Sequence, residues 1–204
     1  NLATAAFFSA LAEISLCIDM LILWSRERTR YLIYWSSGFL SFGIGSLLIS
    51  LRGKIPDFFT ILIGNISTTL SSLLLYTGIC LFFDRRQKLL PSMAGLLGLE
   101  ASFLAYYTYI TYDTSVRVYV YSAIQILITL ITLHTLFMVR RERQGKVNPE
   151  VVVVTLLLLV THGIRVLGTP FFPVPQDFLA SGNFQTLLAF GLMLIHINYA
   201  FALS

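Results

Sequence analysis

A chain of 204 residues that is 56% hydrophobic and 12% charged, with a mean hydropathy of +0.79, carries about half the ~25% charge of a soluble domain. So short a chain would still need a solvated surface, so an ordinary soluble fold is excluded and a lipid-facing one is indicated. The net charge of +4 sits in short clusters between apolar runs, a pattern of membrane topology rather than of nucleic-acid binding.

About 20 mostly apolar residues cross the hydrocarbon as a helix, and seven stretches qualify: 2–24, 31–51, 58–83, 89–110, 116–139, 151–168 and 184–203. The first is too long for a signal-peptide core and lacks a basic leader, so it reads as a helix. The second carries Gly38, Ser41 and Gly45, small residues suited to close helix packing. The third shows a polar stripe of Asn65, Thr69, Ser72 and Tyr76, and the fifth a matching one of Arg117, Tyr121, Gln125, Thr132 and Thr135. The sixth places His162 and Arg165 on one face, and the seventh aligns Gln185, His196 and Tyr199. Pro56, Pro91, Pro149, Pro170, Pro173 and Pro175 fall at helix ends or in loops, where proline is tolerated. Cys17 and Cys80 lie inside apolar runs and read as free packed thiols rather than a disulfide. The chain opens at Asn1 and reaches Ser204 still inside an apolar run, which reads as a piece of a longer protein. The expected fold is therefore an all-α bundle of seven transmembrane helices, a single domain over 1–204.

The cations set its orientation. Loops one, three and five hold ten: Arg26, Arg28, Arg30, Arg85, Arg86, Lys88, Arg140, Arg141, Arg143 and Lys146. Loops two, four and six hold three: Arg52, Lys54 and Arg117. By the positive-inside rule the odd loops are cytoplasmic, so the N-terminus lies outside and the C-terminus inside.

Arg52, Arg117 and Arg165 then all lie near the outer ends of their helices, on the side that the rule depletes of cations. Asn65 sits about two turns in, and His162 one turn below Arg165. Guanidinium forks match a carboxylate or phosphate in bidentate geometry, so these five residues are the candidate ligand-binding set for a small anionic or amphiphilic ligand. The alternative is that each arginine snorkels separately to the headgroups. Glu13 and Glu100 lie near mid-membrane, where a carboxyl is protonated, hydrogen-bonded or paired across helices. His134 and His196 share a similar inner depth, the arrangement of paired haem ligands, although interhelical hydrogen bonding is the commoner role. No metal and no cofactor are otherwise expected. All three lysines lie in loops, which excludes a retinal Schiff base, and no catalytic motif occurs in this region. A proton-coupled transporter using Glu13 and Glu100 is the rival reading, and a haem protein the other.

The run Tyr34-Trp35-Ser36-Ser37-Gly38, then Gly43 and Gly45, Arg52-Gly53-Lys54-Ile55-Pro56-Asp57 and Gly64-Asn65, resembles the seven-helix membrane input region found before GGDEF-type diguanylate cyclase domains in bacteria. Arg117 and Arg165 stand where arginines are expected in that group. The resemblance implies a sensory region in the bacterial inner membrane. A homodimer and a cytoplasmic output domain after residue 204, making cyclic di-GMP, are implied with it.

Overall fold

The structure, a computed structural model, describes residues 2–142, 147–172 and 183–203. Among these residues the chain is helical throughout and has no strand, apart from an isolated bridge between Arg52 and Ile55. The helices are α1 (Leu2–Glu27), α2 (Arg30–Ser50), α3 (Phe58–Phe82), α4 (Leu90–Tyr109), α5 (Thr114–Glu142), α6 (Pro149–Gly168) and α7 (Asn183–Leu203). Their limits lie within a few residues of those expected. The larger differences are at polar ends: α1 runs on through Arg26, and α5 through Arg140 and Arg141. Arg143 and Lys146 of the fifth loop, and Pro173 and Pro175 of the sixth, lie outside the described residues.

Among the described residues six helices are long and apolar enough to cross a membrane: α1, α2, α3, α5, α6 and α7. The expected span 89–110 does form a helix, of 20 residues, but it is not among the six. Pro91, two glycines, Glu100 and three tyrosines dilute its leucines.

The end signals are local. Pro91 and Pro149 sit in the first turns of α4 and α6, where a missing N–H costs nothing. The Asn148 side chain caps α6 by accepting from the Glu150 N–H at 3.0 Å. Asp113 caps α5 in the same way, accepting from the Val116 N–H at 3.0 Å. α3 stops where Asp84 turns left-handed (φ 53°) and the Arg85 N–H reaches back to the Cys80 carbonyl at 2.7 Å. Arg85 is ion-paired with Glu142 at the end of α5, which holds its guanidinium above the usual pKa.

Each helix packs on its neighbours in sequence, α7 packs back on α1, and α3 also touches α5. The α2–α3 seam brings two backbones close together. A Cβ at Gly45 would lie 2.6 Å from the Gly64 carbonyl oxygen, and one at Gly78 would run into the Trp35 ring. The Ser41 hydroxyl donates to the Ser67 carbonyl at 2.8 Å along the same seam. Small residues thus let two backbones meet, which is how helices gain packing where lipid removes the hydrophobic drive. α3 and α5 are joined through their polar stripes: Gln125 donates to Thr69 Oγ1 and accepts from the Ser72 hydroxyl, both at 3.0 Å.

The largest cluster of buried apolar side chains among the described residues lies toward the end of the bundle that holds the odd loops. There Trp35, Phe39, Ile79, Leu136 and Val139 are each at most 1% exposed. The opposite end, where α1, α3, α5 and α7 begin, contains the cavity described next.

Candidate functional site

α2 ends in a tight turn in which the Lys54 N–H donates to the Leu51 carbonyl at 3.0 Å. Gly53 adopts φ +78° in that turn, a conformation that side chains with a Cβ rarely take. The turn leaves Arg52 beside the start of α3. That start is wound as a π-helix over Phe58–Ile63, a wide form that concentrates at functional sites. The first α turn after it carries Asn65, whose amide donates to the Ile61 carbonyl at 2.6 Å.

Arg52, Asn65, Arg117 and Arg165 line one cavity of about 110 Å³, somewhat smaller than the ~150 Å³ cavity that admits a benzene ring. None of the described residues lining it is acidic. Three of the four sit near helix ends that the antiparallel course of the chain brings to one end of the bundle.

Arg117 and Arg165 are held differently. Arg117 is 5% exposed. It donates to Thr108 on α4 at 3.2 Å and to Thr114 at 2.7 Å, and it lies 4.5 Å over the Tyr112 ring. These partners are neutral, so they orient the cation without cancelling its charge. Arg165 Nε donates to Gln185 Oε1 on α7 at 3.1 Å, and the guanidinium stands 5.7 Å from the Tyr121 ring centre. Gln185 is itself 4% exposed and lines the cavity, and its Nε2 has no partner among the described residues. Gln185 was read from the sequence only as part of a stripe on α7. Nothing in the pattern showed that this stripe ends beside Arg165.

His162 is separated from that group. It lines a second, smaller cavity of about 40 Å³, beneath the first and sharing Phe42, Tyr121 and Leu192 with it. Gln125, Thr132, Thr155, His196 and Tyr199 face the same space. His162 is 4% exposed, its ring centre is 5.9 Å from that of Tyr121, and its Nδ1 has no partner among the described residues.

His196 also belongs here. Its Nδ1 lies 2.9 Å from Glu13 Oε1, and its ring packs edge-on against Phe42 at 4.0 Å. His134 points the other way, exposed in an outer groove between α4 and α5 with Leu89, Leu96 and Leu130. The two histidines of the haem alternative therefore do not face one site. Among the described residues no three His, Cys, Asp or Glu side chains converge as metal ligands. Asp19 is exposed on the outside of α1, whereas Glu100 is fully buried on α4.

Comparison of the chain with protein-family profiles, with curated proteins and with solved structures gave no match.

Proposed function

We propose that the chain is a membrane-embedded sensory input domain that binds an anionic ligand, through a carboxylate or phosphate group, at the end of the bundle where α1 begins. One observation carries the reading: Arg52, Arg117 and Arg165, from three separate parts of the chain, line a single cavity with Asn65. Converging guanidinium forks match a carboxylate or phosphate in bidentate geometry. Separately snorkelling arginines would have no reason to share a cavity.

In this reading all seven helices cross the membrane, α4 held among its neighbours despite its weaker hydropathy. The ten cations of the odd loops against three in the even ones put the cavity on the extracytoplasmic side of a bacterial inner membrane. α7 leads directly into the cytoplasm, where the output domain implied by the resemblance, a diguanylate cyclase, would follow. A ligand that bridges the arginines better in one helix arrangement than in another shifts the population of the bundle. α7 is well placed to carry that shift, because Gln185 touches Arg165 at one end of it and His196 touches Glu13 further along. The rival proton-coupled transporter reading draws on Glu13 and Glu100, both fully buried.

The test is the thermal stabilisation that carboxylate and phosphate compounds give to the purified protein and to Arg52→Ala, Arg117→Ala, Arg165→Ala and Arg165→Lys. A hydrogen bond to a charged group contributes about 1.5–3 kcal/mol, so each alanine variant should bind about tenfold to a hundredfold more weakly. Arg165→Lys should also be impaired, because a point charge lacks the bidentate fork. Wild-type behaviour in all four would remove the anion site.

A further inference from the structure

Two imidazoles line the lower cavity, His162 from α6 and His196 from α7. The Thr132 and Thr155 hydroxyls on the same wall donate to the Ile128 and Val151 carbonyls, at 3.0 and 2.6 Å. Each threonine therefore has lone pairs but no proton left to give to the space. Gln125 accepts from Ser72 and donates to Thr69, which leaves its amide one further N–H and one further lone pair. The other titratable side chains on the wall are Tyr76, Tyr121 and Tyr199. α2 adds only Phe42, and none of the described residues lining the space is acidic. Glu13 is reached through His196, whose Nδ1 faces it at 2.9 Å.

This lining selects its occupant. An anion would need donors that the two threonines cannot supply. A bare cation would sit in low dielectric with no carboxylate on the wall. An apolar guest would leave buried imidazoles unpaired. Water brings two donors and two lone pairs, and one molecule needs ~10–15 Å³, so the cavity of about 40 Å³ admits about two or three. We propose that the lower cavity is a hydrated proton-exchange site. Its waters join the His162 and His196 rings, and they give the proton held between Glu13 and His196 a route of exchange. One proton leaves the ring as another arrives from water, so no charge accumulates. The site does not depend on what binds among the arginines, since Phe42, Tyr121 and Leu192 stand between the two cavities.

The experiment uses the chain in nanodiscs of neutral lipid, with isotope-labelled histidine rings read by magnetic resonance. The chain has three histidines, and His134, exposed between α4 and α5, reports that the fold is kept. In the wild type the His162 and His196 rings should both show magnetisation transfer to bound water. In deuterated buffer the ring N–H of His196 should be replaced in the folded state. His162→Gln keeps a donor and an acceptor at the cavity and should preserve both signs at His196. His162→Phe fills the space with hydrocarbon. Replacement should then slow about tenfold or more, because exchange waits on local opening of the bundle. Thr129→Leu fills the same space from α5 and takes its place if a displaced His134 signal shows that His162→Phe misfolds. Absence of water transfer at both rings in the wild type would overturn the hydrated site. Replacement as fast in the filled variant as in the wild type would put the route elsewhere and overturn it too.

Discussion

His196 Nδ1 lies 2.9 Å from Glu13 Oε1 with both side chains buried, so the first and last helices of the ring are fastened by one polar contact in its interior. Glu13→Gln keeps an acceptor oxygen at that place. Hydrogen bonds between membrane helices average about 0.6 kcal/mol, and the amide should cost less than that. Glu13→Ala instead leaves a buried imidazole without a partner, at about 1–3 kcal/mol. Unfolding midpoints in neutral detergent separate the two. Equal loss in both variants would mean that His196 needs a charge rather than an acceptor, and would favour the proton-coupled reading.

The α2–α3 seam gives a prediction with an internal control. Gly45→Ala places a methyl group 2.6 Å from the Gly64 carbonyl, so the helices must part, at about 1–3 kcal/mol. Gly95 on α4 has nothing within 4 Å of an added methyl, and Gly95→Ala should be neutral or stabilise by up to about 1 kcal/mol. Denaturation of the two variants side by side checks the contrast, and a harmless Gly45→Ala would refute the close approach.

Gln125 reaches both Thr69 and Ser72, so its loss should release α5 from α3. Gln125→Met keeps the volume and removes both bonds, which predicts a loss of about 1 kcal/mol at ~0.6 kcal/mol per membrane hydrogen bond. A double-mutant cycle with Ser72→Ala should show coupling of the two positions. Additive losses would mean that the Ser72 bond contributes nothing.

Topology is open to direct measurement. Reporter fusions within 140–150 and after residue 204 should report cytoplasm, and one within 169–183 the opposite side. The reverse pattern would place the arginine cavity on the cytoplasmic side and end the proposed direction of signalling.

Helix positions and polar stripes were legible because they depend on length and on a 3.6-residue period, both written in the chain. The stripes of α3 and α5 face other helices as their spacing suggests, and they meet each other at Gln125. Azimuth was not legible, because it depends on which helices become neighbours. His134 and His196 are expected at similar depths, yet one is exposed beside α4 and the other meets Glu13. For the same reason the sequence grouped His162 with the arginines one turn away, whereas Phe42, Tyr121 and Leu192 border both cavities between them. The π-helical start of α3 left no trace in the hydropathy pattern, since Phe58–Ile63 reads equally well as α-helix.

That wide segment gives α3 a tolerance that its neighbours lack. Six residues bonded i to i+5 take up roughly one residue more than the same length of α-helix. Shortening the chain by one residue between Phe58 and Ile63 would let the segment tighten to α geometry. The face that carries Thr69, Ser72 and Tyr76 would stay where it is. A one-residue deletion further along α3 would rotate everything beyond it by about 100° and turn that face away from α5. The rim of the cavity can therefore lose a residue while the body of the bundle keeps its register.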